Sequence, residues 1–366
     1  MRIALISDAL TVGGAERQIL LSALELRKLG HTVKLIFYHP YVEFQDYIRQ
    51  NNIDLVQITP KGLLRFGRIR ALAGYLRESN FDVVHAFKGC STISGALAAR
   101  LAGVKRVFGG YRVEYREGRK FRVAHKFVDK LLAGWIVNSK GIADSMVAAL
   151  GIDPQRFFVV YNGICPESFQ TRLEKGEAKR KLEIDESTPV VSKFARLHPQ
   201  KNHRLFLQMA HRILQSHPHV RFLIVGDGAL RGDLQNWAES LGISANVSFL
   251  GLRTDIPDVL AATDVSVLTS DFEGFPNALI EAMSVGIAVV STDYPSIHEL
   301  IVHGKHGFIV RRNDAAAVAA KVTELLNDSD LRARMGKEGM EMVRERLSAE
   351  AMARNLVAVY QQAYDR

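Results

Sequence analysis

Ten short apolar runs, mostly β-branched, recur along this chain between stretches of helical period. That alternation constrains the fold more than any other feature. RIALIS (2–7) reads as a buried strand. AERQILLSALELRKLG then sets Ile19, Ala23 and Leu26 on one helical face and stops at Gly30. Further strands are expected at 32–37, 82–87, 105–108 and 134–139, with helices between them. This βαβ rhythm predicts an open parallel sheet with helices on both faces. It breaks at 161–187, where a charge-dense stretch without strand period reads as a linker. It restarts with strands at 189–196, 220–226, 246–251, 264–270 and 287–292. At 366 residues the chain is too long for one core. The expectation is therefore an α/β protein of two doubly wound parallel-sheet domains facing across a cleft, 1–165 and 166–347. An amphipathic C-terminal helix at about 348–366 can pack back on the first domain. Ligands of such sheets sit at the carboxyl ends of the strands.

Charge divides the two halves. Residues 1–165 hold 24 Lys+Arg against 13 Asp+Glu, whereas 166–366 hold 24 against 26, so the first half carries all of the net +9. A half of that kind favours phosphates, nucleic acid or an anionic membrane surface, unless it is simply a solvated basic face. Two cysteines, Cys90 and Cys165, are too few for a disulfide framework and suggest a reducing compartment. The N-terminal MRIALISDAL is interrupted by Asp8 and does not read as a signal peptide. No window approaches the roughly 20 uncharged apolar residues of a spanning helix.

EGFPNALIEA (273–282) joins a strand end, a chain break and two carboxylates. Phe275 precedes Pro276 and is pushed out of helical geometry. Pro276 suits the first position of a helix, which then runs to Gly286. The amides of Asn277, Ala278 and Leu279 are expected to point out of that helix start, where phosphate binds. Glu273 lies before this position, and Glu281 lies roughly 7.5 Å along the axis past Pro276. The two acids thus flank an anion, in reach of sugar hydroxyls. Either glutamate alone is better explained as a cap or a surface acid; together with Gly274, Pro276 and the strand end they favour a nucleotide-sugar site.

Other motifs fall at strand ends. In FARLHPQKN (194–202), Arg196 closes a strand and Lys201 opens a helix, a placement that neutralises a diphosphate leaving group. Gly13 and Gly14 let backbone approach a phosphate or simply make a tight turn. Gly226 and Gly228 offer a nucleotide edge or, again, a turn. His85 ends the strand 82–87 and is a candidate for chemistry in the cleft. DSD (328–330) resembles a metal motif but falls between helices, where Asp330 or Ser329 caps the second, so no metal site is expected. The basic stretches 61–70 and Arg112–Lys130 interleave cations with apolar residues, as an anionic-lipid contact does; a solvated face is the plain alternative. No nucleic-acid motif accompanies them, so no nucleic-acid partner is expected.

Taken together, FARLHPQKN, IVGDGALR, VSFLG, SDFEGFPNALIEAMSVGIAVVSTD and HGFIV resemble the retaining nucleotide-sugar glycosyltransferases of family 4, with two Rossmann-like domains in the GT-B arrangement. VVYNGI (159–164) resembles that family's end of the first domain, and GGAERQ its first glycine loop. The resemblance implies that Arg196 and Lys201 bind the donor diphosphate, that Glu273 meets the donor sugar and Glu281 the ribose. It further implies that backbone at 276–279 touches sugar and phosphate, and that Gly13 and Gly14 lie near diphosphate and acceptor. It implies no cofactor and no metal, front-face attack with retention, and domain closure that excludes water. One departure stands out: where many members carry a histidine in the loop after the strand matching 105–108, this chain reads Gly109, Gly110, Tyr111, Arg112, so Arg112 or His85 is expected to take over part of that role.

The resulting expectation is an enzyme that transfers a sugar from a nucleoside diphosphate donor, UDP-linked, to a lipid-linked, lipopolysaccharide or polysaccharide glycan. It would work in the cytoplasm at the inner membrane face, reached through the basic first half. A nucleotide-sugar epimerase of the same fold and a non-catalytic glycan- or membrane-binding module are the alternatives.

Overall fold

The computed structural model describes residues 1–10, 13–39, 44–59 and 65–362. The chain forms two compact units, Met1–Gly163 with Ala349–Arg366, and Ile164–Ser348.

In the first unit, β1 (Arg2–Ser7), β2 (Thr32–Phe37), β3 (Leu55–Gln57), β4 (Val83–Ala86), β5 (Arg106–Tyr111), β6 (Gly134–Val137) and β7 (Phe157–Val159) form one parallel sheet. Its order is β3-β2-β1-β4-β5-β6-β7. β1 runs near-continuously apolar because helices cover both faces of a parallel sheet, and every residue after Arg2 is buried. β3 and β7, three residues each at the two edges, gave too short an apolar run to be read from sequence. β5 continues to Tyr111, so Gly109 and Gly110 are strand residues and not a loop. A Cβ on Gly110 would lie 2.5 Å from the Ala86 carbonyl oxygen, which explains the glycine by close strand packing. The core includes Trp135, whose indole N–H donates to Asp129 at 2.8 Å. The helix Ala349–Gln362 packs on the helix Gly14–Lys28 within this unit. Of the basic stretch 61–70, residues 61–64 lie outside the described residues, as do 363–366 of the C-terminal segment.

In the second unit, β8 (Val190–Phe194), β9 (Arg221–Val225), β10 (Val247–Gly251), β11 (Val265–Leu268), β12 (Ala288–Thr292) and β13 (Phe308–Val310) form a parallel sheet ordered β10-β9-β8-β11-β12-β13. Phe206, Phe222, Val265, Val290 and Val322 belong to its core. From Ile164 on, the stretch expected as a linker is bound into this unit. Lys175 pairs with Asp264 at 2.5 Å, the buried Lys179 donates to the Thr188 carbonyl at 2.7 Å, and Thr171 donates to Asp258 at 2.6 Å. Its charges face specific partners, which a charge-density reading does not reveal. The cap of the helix Ser329–Arg346 is Asp328, accepting from the Leu331 amide at 2.8 Å, rather than Asp330 or Ser329.

Candidate functional site

The best-built polar cluster lies in the second unit, where β8 and β11 end. β8 runs into a loop, Ala195–Asn202, and then into the helix His203–Leu214. The Ala195 amide donates to the Val225 carbonyl and the Leu197 amide to the Asp227 carbonyl, each at 2.9 Å. That pairing brings the loop against the turn after β9. Gly226 and Gly228 hold φ of +134° and +159°, and a Cβ on them would lie 2.2 Å from the Ala195 oxygen and 2.5 Å from the Leu197 oxygen. Both glycines are therefore needed for the loop to lie where it does, whatever else they touch.

Asn202 fixes the other end of the loop. It takes the left-handed conformation that asparagine tolerates, with φ of 44°. Its side-chain oxygen caps the following helix through the Leu205 amide at 3.2 Å. Its side-chain N–H₂ donates to Asp271 and Asn313, both at 3.0 Å. Gln200 donates to the Phe272 carbonyl at 2.7 Å, and its own carbonyl accepts from the Asp271 amide at 2.9 Å. Two loops some 70 residues apart are thereby stitched together.

Lys201 and Glu273 meet in that seam. Nζ of Lys201 lies 2.5 Å from Oε1 of Glu273, with the side chains 17% and 11% exposed. Ser270 donates to the same oxygen at 2.6 Å, and Ser296 donates to the Glu273 carbonyl at 3.0 Å. The sequence suggested separate tasks for Lys201 and Glu273 but not that they pair; the only trace was that both follow strand ends. Arg196 stands nearby on the same loop, exposed, and no carboxylate pairs with it among the described residues. Tyr294 is buried, its hydroxyl held in the protonated form by burial and by the Glu273 charge.

The helix start beside Glu273 differs from expectation by one residue. Pro276 is the cap, with φ −82° and ψ 91°, and the helix is Asn277–Ser284. The Leu279 amide donates to the Pro276 carbonyl at 3.1 Å, so it is used inside the first turn and is not offered outward. Asn277 and Ala278 occupy the first turn of this helix. Gly274, Phe275 and Pro276 are buried, and Glu281 is partly exposed on the helix.

The first unit treats its candidates otherwise. His85 is wholly buried in β4, and its Nδ1 lies 2.8 Å from the Tyr360 hydroxyl. Its ring packs on Phe87 at 4.4 Å. Burial, reinforced by the Arg112 charge, holds its pKa well below 6.5. A fully covered imidazole touches no substrate, so the catalytic expectation for His85 is wrong: a tyrosine 275 residues away covers it. At Gly13 an added Cβ would lie 2.4 Å from Oε2 of Glu16. The buried Glu16 carboxylate, paired with Lys88, occupies the start of the helix Gly14–Lys28 beside Gly13 and Gly14. The anion there is the chain's own.

Arg112 follows β5. It donates to Asn162 at 3.0 Å and lies over the Phe87 ring at 4.4 Å. Burial lowers its pKa to about 10, and no carboxylate pairs with it among the described residues. On the helix Arg119–Asp129, Val123 and Phe127 are 63% and 59% exposed, beside exposed Arg119, Lys120, Arg122 and Lys126. Among the described residues no three His, Cys, Asp or Glu side chains gather to hold a metal, and no helix is long and apolar enough to cross a membrane.

Two family models match the chain: "Glycosyltransferase Family 4" over residues 12–168 and "Glycosyl transferases group 1" over residues 174–342. The chain belongs to glycosyltransferase family 4. It is 30% identical over 267 residues to the Escherichia coli UDP-Gal:alpha-D-GlcNAc-diphosphoundecaprenol alpha-1,3-galactosyltransferase, covering 70% of this chain and 69% of that one. It is 28% identical to the Salmonella typhi Vi polysaccharide biosynthesis protein VipC/TviE, over 97% of this chain and 71% of that one. Among solved structures, Anabaena Alr3699/HepE in complex with UDP is similar at a TM-score of 0.89 and 21% identity, covering 99% of this chain and 100% of that one. That likeness shows the fold: two Rossmann-like parallel-sheet units of the GT-B type.

Proposed function

We propose that this glycosyltransferase moves a sugar from a UDP-linked donor to a lipid-linked, lipopolysaccharide or polysaccharide glycan, with retention and without a metal. The observation that carries the reading is the Lys201–Glu273–Ser270 cluster at the ends of β8 and β11, with Arg196 beside it. A departing diphosphate needs positive charge held in place, and Lys201 and Arg196 supply it. Glu273 accepts hydrogen bonds from sugar hydroxyls, and Ser270 keeps its carboxylate oriented. Asn277 and Ala278 offer the first-turn backbone to phosphate, and Glu281 holds the ribose. Catalysis on this reading is positioning and charge stabilisation.

The relatives support the substrate class. The E. coli protein is named for UDP-Gal and a diphosphoundecaprenol-linked GlcNAc, and HepE was solved with UDP. In the first unit, Arg112 contacts the acceptor side or the donor phosphate. The exposed Val123 and Phe127 among four cations meet an anionic membrane surface on the cytoplasmic face.

Incubation with UDP-sugars and a diphospholipid-linked glycan tests the reading, with the anomer of the product read by NMR. Transfer with retained configuration, undiminished by EDTA, is expected. Inversion, or loss of activity to the chelator, contradicts the mechanism.

A further inference from the structure

Two basic side chains beneath the Ala195–Asn202 loop take no part in the donor reading. Lys193, the fourth residue of β8, is fully buried. Its Nζ donates to the Lys201 carbonyl and to the Thr269 hydroxyl oxygen. Thr269 in turn donates to the Asn202 carbonyl at 2.8 Å. His203, 2% exposed, opens the next helix and sets its Nε2 2.9 Å from the Arg196 carbonyl. A carbonyl only accepts, so the imidazole carries its proton on Nε2.

Donor counting bears on the charge state of the lysine, whose Nζ also lies 5.9 Å from the Phe206 ring centroid. A neutral amine has two N–H groups, and Lys193 has two acceptors. An ammonium has a third N–H, and no carboxylate pairs with it among the described residues. Burying an unpaired ammonium is costly. Burial and the adjacent Lys201 charge hold the amine's pKa well below 10.5, with Glu273 and Asp271 opposing weakly. The Lys201, Glu273, Asp271 and His203 groups are thus the titratable neighbours of Lys193. Burial lowers His203 to about 3.

We infer that Lys193 and His203 are positioning residues for transfer: they hold the carbonyls of Lys201 and Arg196 and so fix where the two diphosphate-binding side chains leave the backbone. The inference rests on the donor reading above. In the sequence, Lys193 stands immediately before the FARLHPQKN motif; the structure turns it inward as a hydrogen-bond strut.

Four variants test it: Lys193→Met, Lys193→Arg, His203→Phe and His203→Gln, each assayed for transfer and for melting temperature against pH. Met suits a buried site and removes the strut, so folding is expected to survive. Lys193→Met and His203→Phe should lower kcat/KM roughly 10- to 100-fold, with kcat falling more than KM rises. His203→Gln keeps an N–H near Nε2 and should stay within about threefold of wild type. Lys193→Arg brings a permanent charge and should not rescue. Burial holds folded Lys193 below the usual amine pKa, so as pH falls below about 10 the unfolded chain binds a proton that the folded chain refuses, and wild-type stability should rise with pH relative to Lys193→Met. A fully active Lys193→Met or His203→Phe overturns the inference, and so does a fully active Lys193→Arg. If Lys201→Ala also transfers normally, it is the donor reading that has failed; the melting comparison still reports the state of Lys193.

Discussion

Where the second sheet ends, polar side chains bond across neighbouring loops and stay partly exposed; in the first sheet the corresponding groups are covered by other side chains of the unit. Lys201, Gln200 and Asn202 reach Glu273, Phe272 and Asp271 across two neighbouring strand ends. His85 instead meets Tyr360 of the C-terminal helix, and the Gly13 turn is filled by Glu16 and Lys88. A strand-end position therefore does not make a residue functional. What matters is whether its partners leave the polar group at a surface that a ligand can reach.

The contrast is sharpest in activity. Lys201→Ala and Glu273→Ala should cut transfer on the order of 100-fold or more, with melting temperature nearly unchanged, because both groups are partly exposed. Next comes the frame that presents them. Gly226→Ala or Gly228→Ala forces a Cβ into backbone at positive φ, and should destabilise the second unit by about 2 kcal/mol or more in urea melts.

His85→Phe reverses the pattern of Lys201→Ala. It should cost about 1–3 kcal/mol in the same melts, by leaving the buried Tyr360 hydroxyl without its partner, while the folded protein keeps its turnover. Wild-type stability should also fall as pH drops below about 6.5, because the unfolded imidazole takes a proton that buried His85 refuses. His85→Phe removes that share of the acid sensitivity; His203 adds its own share down to about pH 3. An inactive but stable His85→Phe protein would erase the distinction between the two sheets. The smallest folding effect belongs to the surface. Val123→Asp with Phe127→Asp should change stability by less than about 0.5 kcal/mol each, yet reduce sedimentation with phosphatidylglycerol vesicles. Unchanged vesicle binding would remove the membrane contact from the proposed function.

Hydrophobic period was enough to find both sheets, because a parallel strand buried on both faces leaves a run such as RIALIS or RFLIV. It missed β3, β7 and β13, whose three residues carry too little pattern. Of the candidate site, the strand-end placement of Arg196, Lys201 and Glu273 was legible, since a strand, a loop and a helix start are local features. The Lys201–Glu273 pairing was not, because nothing local joins residues 72 apart. Gly226 and Gly228 were legible as punctuation but not in purpose; the reason lies in the backbone of residues 195–197. His85 was misread for the same reason: its partner Tyr360 lies 275 residues downstream. The inward turn of Lys193 left no sequence signal beyond an unexpected cation in an apolar strand.

Calorimetric titration of UDP into wild type, Lys201→Ala and His85→Phe tests the central claim most directly. Binding to wild type and to His85→Phe should be equal within about twofold, and at least about tenfold weaker to Lys201→Ala. Equal binding to Lys201→Ala, or lost binding in a folded His85→Phe protein, would contradict the assignment of the donor to the second unit.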